Sequence, residues 1–119
     1  MRFCNWTALE EIDISNLVSI GHKSGSGWED TFRGCSSLTT VKASDKLTDI
    51  GWNAFVDCGN LSSITGLSGV ITLYTNAFQN CTSLTSDSFA NAEITFDSSV
   101  NTETCFGGCL SLDEITISD

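Results

Sequence analysis

A seven-residue pattern repeats along this chain and limits what it can fold into more than any other feature. Phe-x-x-Cys-x-x-Leu occurs four times, as Phe32/Cys35/Leu38, Phe55/Cys58/Leu61, Phe78/Cys81/Leu84 and Phe106/Cys109/Leu112. A degenerate copy, Phe3/Trp6/Leu9, opens the chain with Trp in the Cys position. Successive phenylalanines are separated by 29, 23, 23 and 28 residues. A period in the twenties is typical of a solenoid, in which neighbouring coils cover the apolar face of each coil.

The residues around each Phe predict a short helical turn. Two positions before Phe, the side chains can cap free backbone N–H groups: Asp30, Asn53, Asn76 and Thr104. Two positions after Phe, every residue tolerates a left-handed backbone: Asn5, Gly34, Asp57, Asn80 and Gly108. We expect a helical turn that begins at the capping residue, buries Phe and ends in the left-handed residue before Cys.

Two apolar columns predict two extended segments in each coil. The position three residues after Leu is apolar in most copies: Ile12, Val41, Ile64 and Ile115. This column predicts a short strand of a parallel sheet, and Asp87, which occupies it in the fourth copy, predicts a local irregularity. A second apolar pair precedes the next Phe: Leu17/Ile20, Leu47/Ile50, Ile71/Leu73 and, displaced, Ile94/Phe96. It predicts a shorter extended segment on the opposite wall.

These residues resemble the BspA-like class of bacterial leucine-rich repeats, most clearly in residues 47–58, Leu-Thr-Asp-Ile-Gly-Trp-Asn-Ala-Phe-Val-Asp-Cys. The family's frequent Ile-Pro is missing, because the chain has no proline. The resemblance implies one leucine-rich-repeat domain over residues 1–119. We expect a right-handed solenoid of about five repeats, with short parallel strands on the concave face and short helical turns, anchored on Phe3, Phe32, Phe55, Phe78 and Phe106. The two long steps place insertions near residues 21–27 and 97–101, and such insertions are often recruited for binding.

The six cysteines are best explained by the repeat. Four of them share one column and are expected to stack as buried, reduced thiols that act as small hydrophobic side chains: Cys35, Cys58, Cys81 and Cys109. We expect Cys105 to be buried too and Cys4 to be the most exposed. A disulfide framework would allow 15 pairings. A zinc site is disfavoured, because column thiols fall at least 23 residues apart with no Cys-x-x-Cys pair.

Composition excludes several classes of function. Fifteen acidic residues against five basic ones give a net charge of −10, which repels nucleic acids and anionic membranes. No stretch approaches the roughly 20 apolar residues that span a bilayer, and the first residues have no signal-peptide pattern. His22 is the only histidine, and no nucleophile is spaced to pair with it. We therefore expect no enzyme activity, no cofactor and no metal site.

The candidate binding surface is the concave face of the predicted strands. Hydroxyl side chains flank the buried columns in the middle coils, and any ligand is expected across them, centred on Thr40, Ser63 and Ser86. Around this centre lie Thr39, Ser62, Thr85, Lys42 and Thr65. Acidic pairs at residues 10–11 and 113–114 would favour a basic partner. Alternatively, these hydroxyls serve only the packing and local hydrogen bonding of a parallel ladder.

Aromatic side chains give a second hypothesis for binding. Trp28, Trp52 and Tyr74 precede the Phe of their coils by three or four residues and would form a contact patch if they were exposed. Packing along the convex wall is the alternative. Trp6 is expected in the core or as a partial lid over the first coil.

The resemblance implies a non-catalytic protein-binding or adhesion module of cell-surface type. Its partner would be a host or cell-surface protein, and its location the cell surface or the extracellular space. The competing hypothesis is a structural component of a larger assembly, such as a surface layer or a virion appendage, with the solenoid as a spacer. Because residues 117–119 directly follow the last predicted strand, we also expect end-to-end contact with another domain or subunit.

Overall fold

Two parallel β-sheets form the walls of the fold, and most of their strands pair with the corresponding strand of the next coil. The computed structural model describes residues 3–21, 30–98 and 100–117. In chain order the strands are β1 (Glu11–Asp13), β2 (Ser19–Ile20), β3 (Thr40–Lys42), β4 (Asp49–Ile50), β5 (Ser63–Thr65), β6 (Gly69–Leu73) and β7 (Ala92–Phe96). The three-stranded sheet has the order β1-β3-β5, and the four-stranded sheet the order β2-β4-β6-β7. Both apolar columns therefore form strands, as the repeat predicts.

The four-stranded sheet is the more extensive wall. β6 and β7 have five residues each and pair over their whole length, with Ile71 opposite Ile94 and Leu73 opposite Phe96. The expectation of a shorter second segment is therefore wrong for these coils. Ile94 and Phe96 are displaced in sequence relative to the next Phe, yet they pair in register with Ile71 and Leu73. The register follows the alternation of buried side chains rather than the count of residues from Phe.

Stacked phenylalanines fill the space beside the sheets. The rings of Phe3, Phe32, Phe55, Phe78 and Phe106 form one stack, with centroids 5.2–5.5 Å apart and planes within 12° of each other. A further ladder of hydrogen bonds links the turns that carry them. The N–H of Phe55, for example, donates to the carbonyl of Ala77 at 2.8 Å. The coils are thus joined along three sides of the core.

The turns around Phe differ in part from the expected helical form. The residues after Phe have left-handed backbones, as predicted, with φ of 59° at Asn5, 62° at Asp57 and 63° at Asn80. Asn53 and Asn76, two positions before Phe, are also left-handed, with φ of 56° and 58°. Their prediction as N-caps is wrong, because an N-cap has an extended backbone. Asp30 shares this conformation, with φ of 66°.

A regular helix forms around the last Phe. The helix α1 (Thr102–Phe106) is capped by Asn101, whose side chain accepts from the N–H of Thr104. The Thr104 hydroxyl in turn accepts from the N–H of Asn101, so the two residues form a capping box. The cap is therefore Asn101 rather than the predicted Thr104. Among the described residues, no helix is long and apolar enough to cross a membrane.

The fourth coil is irregular at Asp87, as predicted. Residues Ser86–Phe89 form a 3-10 helix instead of a strand, and β5 is the last strand of its sheet. Burying a carboxylate in the apolar column would be costly, so Asp87 faces solvent. Phe89 fills the core in its place and meets Phe78 and Phe106 edge-on, with centroids 5.5 and 5.7 Å away.

The last coil and the second insertion differ from what the repeat predicts. Ile115 does not lie in a strand, so the strand prediction is wrong there. Ile117 instead forms an isolated parallel bridge with Ile94 of β7. The first expected insertion lies outside the described residues except for Gly21. In the second, Val100 is buried and Asn101 caps α1, so these residues extend the core and the helix.

Candidate functional site

The outer face of the three-stranded sheet presents two rows of polar side chains. The register aligns Glu11, Thr40 and Ser63 in one row, and Asp13, Lys42 and Thr65 in the other. Between the rows the central residues of the strands point inward, and Val41 and Ile64 are buried. A shallow concavity of about 420 Å³ lies over this face, lined by Glu11, Ile12, Asp13, Thr40, Lys42 and Thr65. We call these two rows the sheet face.

The sheet face is acidic at its β1 end. Lys42 Nζ lies 3.9 Å from Asp13 Oδ2, and both side chains are largely exposed. Hydrogen bonds from Ser15 lower the pKa of Asp13, and the charge of Lys42 lowers it further. Asp13 is therefore ionised at neutral pH. Glu11 adds a second exposed carboxylate in the neighbouring row.

Three hydroxyls expected in the binding surface donate to the backbone of the preceding coil. Thr39 donates to the Glu10 carbonyl at 3.2 Å, and Ser62 to the Thr39 carbonyl at 3.2 Å. Thr85 donates to the Ser62 carbonyl at 3.4 Å. These side chains are exposed, but their protons are used in a ladder along the edge of the sheet face. Their contribution to a contact would be as acceptors.

Ser86 does not continue the row of Thr40 and Ser63. It begins the 3-10 helix, and its Oγ accepts from the N–H groups of Asp113 and Glu114 at 2.8 and 3.0 Å. The expectation of one register from Thr40 to Ser86 is wrong, because the strand is interrupted at Asp87. The strand register places Thr40 beside Ser63 and Lys42 beside Thr65. Ser86 lies in the 3-10 helix, outside this sheet.

The column cysteines bond to the phenylalanine carbonyls of the preceding coil. Cys35 Sγ lies 3.1 Å from the oxygen of Phe3, and Cys58 Sγ lies 3.0 Å from that of Phe32. Cys81 and Cys109 repeat this contact at 3.0 Å. Burial raises the pKa of Cys58 to about 12, and raises that of Cys81 as well. These groups are therefore neutral thiols at physiological pH, which suits packing rather than nucleophilic chemistry.

The other cysteines differ in exposure. Cys105 is buried, as expected, and burial raises its pKa to about 12. Cys4 is half-buried, and so is Cys109, which was expected to be buried. Within the described residues, no three His, Cys, Asp or Glu side chains are grouped so that they could hold a metal ion.

Labelling of the native protein should separate these cysteines. We expect an alkylating reagent to modify Cys4, while Cys35, Cys58, Cys81 and Cys105 stay protected, because buried neutral thiols react only after local opening. Mass measurement after proteolysis would assign each modified residue. Denatured protein provides the control in which all six should react. Rapid labelling of Cys58, or a Cys58–Cys81 linkage, would contradict the expectation that the column is reduced and structural.

The aromatic side chains do not form the expected contact patch with Tyr74. Tyr74 is only 5% exposed, and its hydroxyl donates to Asp49 Oδ1 at 3.1 Å. Burial raises its pKa to about 12. Trp52 is half-buried, and Trp28 lies outside the described residues. Trp6 is 48% exposed and stacks on Phe3 with centroids 5.3 Å apart, which makes it a partial lid.

A smaller concavity lies on the other wall, where the repeat did not suggest a site. It measures about 200 Å³ and is lined by residues of β2, β4 and the start of the following turns, with Val18, Asp49 and Tyr74 among them. The alternation of Ser19/Ile20 and Asp49/Ile50 predicts which side chains face outward here. It does not predict that Tyr74 reaches back to Asp49 across the coils.

The comparisons with known proteins agree with the repeat. The model of the BspA type leucine rich repeat region matches residues 1–119 in six copies, one more than the five coils counted from the phenylalanines. Neither the search of curated proteins nor the search of solved structures gave a match. The family match covers the whole chain, and the parallel walls are those of a repeat solenoid. The chain therefore belongs to the BspA-type leucine-rich repeat family.

Proposed function

We propose that this chain is a non-catalytic adhesion module that binds a host or cell-surface protein through the sheet face. Membership of the family supports a protein-interaction role of surface type, since leucine-rich repeats are generally interaction modules without catalytic function. The observation that carries the proposal is the register of the two polar rows across β1, β3 and β5. A location at the cell surface is part of the same proposal.

The side chains of the sheet face suit a broad contact. Thr40, Ser63 and Thr65 are short, so covering them costs little rotamer entropy. The three strands lie about 4.8 Å apart, so the rows form a patch roughly 10 Å wide. A partner that covers this patch would make many weak hydrogen bonds to hydroxyl groups. Its charge should be positive where it faces Glu11 and Asp13.

The hydroxyl ladder at the edge of the sheet face supports such a contact indirectly. The bonds from Thr39, Ser62 and Thr85 tie each coil to the preceding one. They restrain the strands that carry the two rows. A restrained surface loses less conformational freedom when a partner binds, which favours affinity.

A single substitution on the sheet face tests this proposal. Ser63→Arg should leave the fold intact, because Ser63 faces outward, yet it should weaken partner binding at least about tenfold through steric blocking and charge repulsion. The matched control is Thr72→Arg, a half-buried hydroxyl residue next to the last residue of β6 on the other wall. Immobilised wild-type and variant proteins would be compared for retention of labelled surface proteins.

The outcomes separate the two hypotheses for function. Retention by wild type and Thr72→Arg, but not by Ser63→Arg, supports binding through the sheet face. Equal retention by all three would show that the sheet face is only scaffold. Retention of this chain alone, with no foreign protein, would favour the structural component of an assembly.

A further inference from the structure

The interruption of the three-stranded sheet leaves a groove beside the 3-10 helix. On one side of Asp87 lies a concavity of about 500 Å³, which reaches the segment of residues 113–116. On the other side lies one of about 290 Å³ along β5 and the residues after it. Asp87 lines both. We call the larger concavity the interruption groove; its volume lies within the roughly 300–1,000 Å³ of typical ligand sites.

Side-chain hydroxyls hold both edges of the interruption in place. Ser86 Oγ accepts from two backbone N–H groups of the last coil, at Asp113 and Glu114. Ser88 Oγ accepts from the N–H of Ile64 in β5 at 2.9 Å. Phe89 closes the floor, because it is buried between Phe78 and Phe106. These contacts hold the two walls of the groove against β5 and the last coil.

Both walls of the interruption groove carry carboxylates. Asp87 projects from the 3-10 helix, and Asp113 and Glu114 from the facing segment, and all three residues are exposed. Lys and Arg are absent from the residues that line the groove. The described part of the chain has three basic residues: Arg33 and Lys42 are paired with Asp30 and Asp13, and Lys46, like them, does not line the groove. The groove is thus acidic without a local counter-charge.

We propose that the interruption groove binds an extended segment of a protein partner that is rich in arginine or lysine. Residues 113–116 run along the groove as one wall, so an occupant aligned with them would span roughly 13 Å in extended form. Its basic side chains would lie between Asp87 on one wall and Glu114 on the other. The proposal rests on the proposed function in that the occupant is a protein, and it assigns a second contact surface beside the sheet face.

A labelled peptide tests the charge of the occupant. The probe is a fluorescein-labelled octapeptide of alternating arginine and threonine, and a peptide with glutamate in place of arginine is the charge-inverted control. We expect the basic peptide to bind at low ionic strength, with an affinity that falls as salt is added. Absence of binding by the basic peptide, or equal binding of both peptides, would overturn the proposal.

A pair of triple variants locates the binding. Asp87→Asn/Asp113→Asn/Glu114→Gln removes the three groove carboxylates and should lower the affinity for the basic peptide at least about tenfold. The matched control removes three exposed carboxylates elsewhere: Asp45→Asn/Glu93→Gln/Glu103→Gln. The control should lower the affinity for the peptide by less than about twofold, because it changes only the long-range electrostatic attraction by the whole protein. Equal losses in both triple variants would show that net charge alone attracts the peptide, and would overturn the proposal.

Two further measurements complete the test. Sedimentation of the wild type and of the groove variant would reveal self-association, and a dimer lost only in the groove variant would mean that a second copy occupies the groove. That result would overturn the proposal. Thr40→Arg changes the sheet face at a residue that lines neither concavity beside Asp87, so this variant is expected to bind the short peptide normally. Loss of peptide binding in the groove variant can thereby be told apart from failure of the sheet face to hold its partner.

Discussion

Replacing Phe55 with alanine is expected to lower the free energy of unfolding by about 3–5 kcal/mol. Phe55 has no exposed surface and stacks between Phe32 and Phe78, with centroids 5.2 and 5.4 Å away. Backbone ladders hold the neighbouring coils at a fixed separation, so they cannot close over the cavity that the substitution leaves. Denaturant unfolding followed by circular dichroism would measure the change.

Trp6→Ala is the control at the end of the same stack. Trp6 contacts Phe3 on one face and is about half exposed, so its removal should cost about 1 kcal/mol or less. A loss below about 1 kcal/mol for Phe55→Ala would mean that the stack contributes little to stability. The comparison therefore distinguishes burial in the stack from aromatic character alone.

The regular parts of this fold could be predicted because the repeat samples each environment several times. The column that holds Val41 and Ile64 is apolar in every coil except that of Asp87, and a position that is apolar in most coils is expected to face the core. The left-handed residues after Phe could be predicted in the same way, since Gly34, Asp57 and Asn80 share little except tolerance of that backbone. The handedness of the solenoid and its number of repeats stay predictions.

Departures from the repeat were harder to interpret. Asp87 predicted an irregularity but not its form, because the 3-10 helix depends on Phe89 reaching the stack, where it packs edge-on against Phe78 and Phe106. Asn53 and Asn76 suit both an N-cap and a left-handed turn, so residue type alone could not choose between them. The pairing with the next coil makes the choice, through the N–H of Asn53 that donates to the carbonyl of Thr75.

The candidate site, like the fold, could be predicted from the sequence only in part. Strand alternation predicted that Thr40 and Ser63 face outward, and the pairing of β3 with β5 places them side by side. Strand alternation could not predict that the Thr39 and Ser62 hydroxyls donate to backbone carbonyls of the preceding coil, because these hydrogen bonds depend on the spacing between coils. The prediction that Ser86 continues this row was wrong, because the neighbouring Asp87 interrupts the strand. The Ser86 hydroxyl itself gives no sign of this. Binding at these residues stays a proposal.

Replacing Gly66 with alanine is expected to destabilise the protein by about 3 kcal/mol or more. Gly66 follows β5 directly and has a left-handed φ of 87°. A Cβ atom there would lie 2.5 Å from the carbonyl oxygen of Ala43 and 3.0 Å from its carbonyl carbon. Both are backbone atoms and cannot turn aside as a flexible side chain could. Relief would require β5 to shift from β3, which would also misalign the two rows of the sheet face.

Gly69→Ala serves as the control that distinguishes the cost of the steric clash from the cost of the left-handed backbone. Gly69 also has a left-handed φ, of 77°, yet a Cβ atom there would meet nothing within 4 Å. Alanine at residue 69 should therefore cost only the left-handed penalty of about 1–2 kcal/mol. Thermal or denaturant unfolding of both variants gives the difference, which is the cost of the close approach between the coils. Equal losses of unfolding free energy in the two variants would show that the backbone at Ala43 moves aside at little cost. The spacing between β3 and β5 would then be less rigid than a preformed binding surface requires.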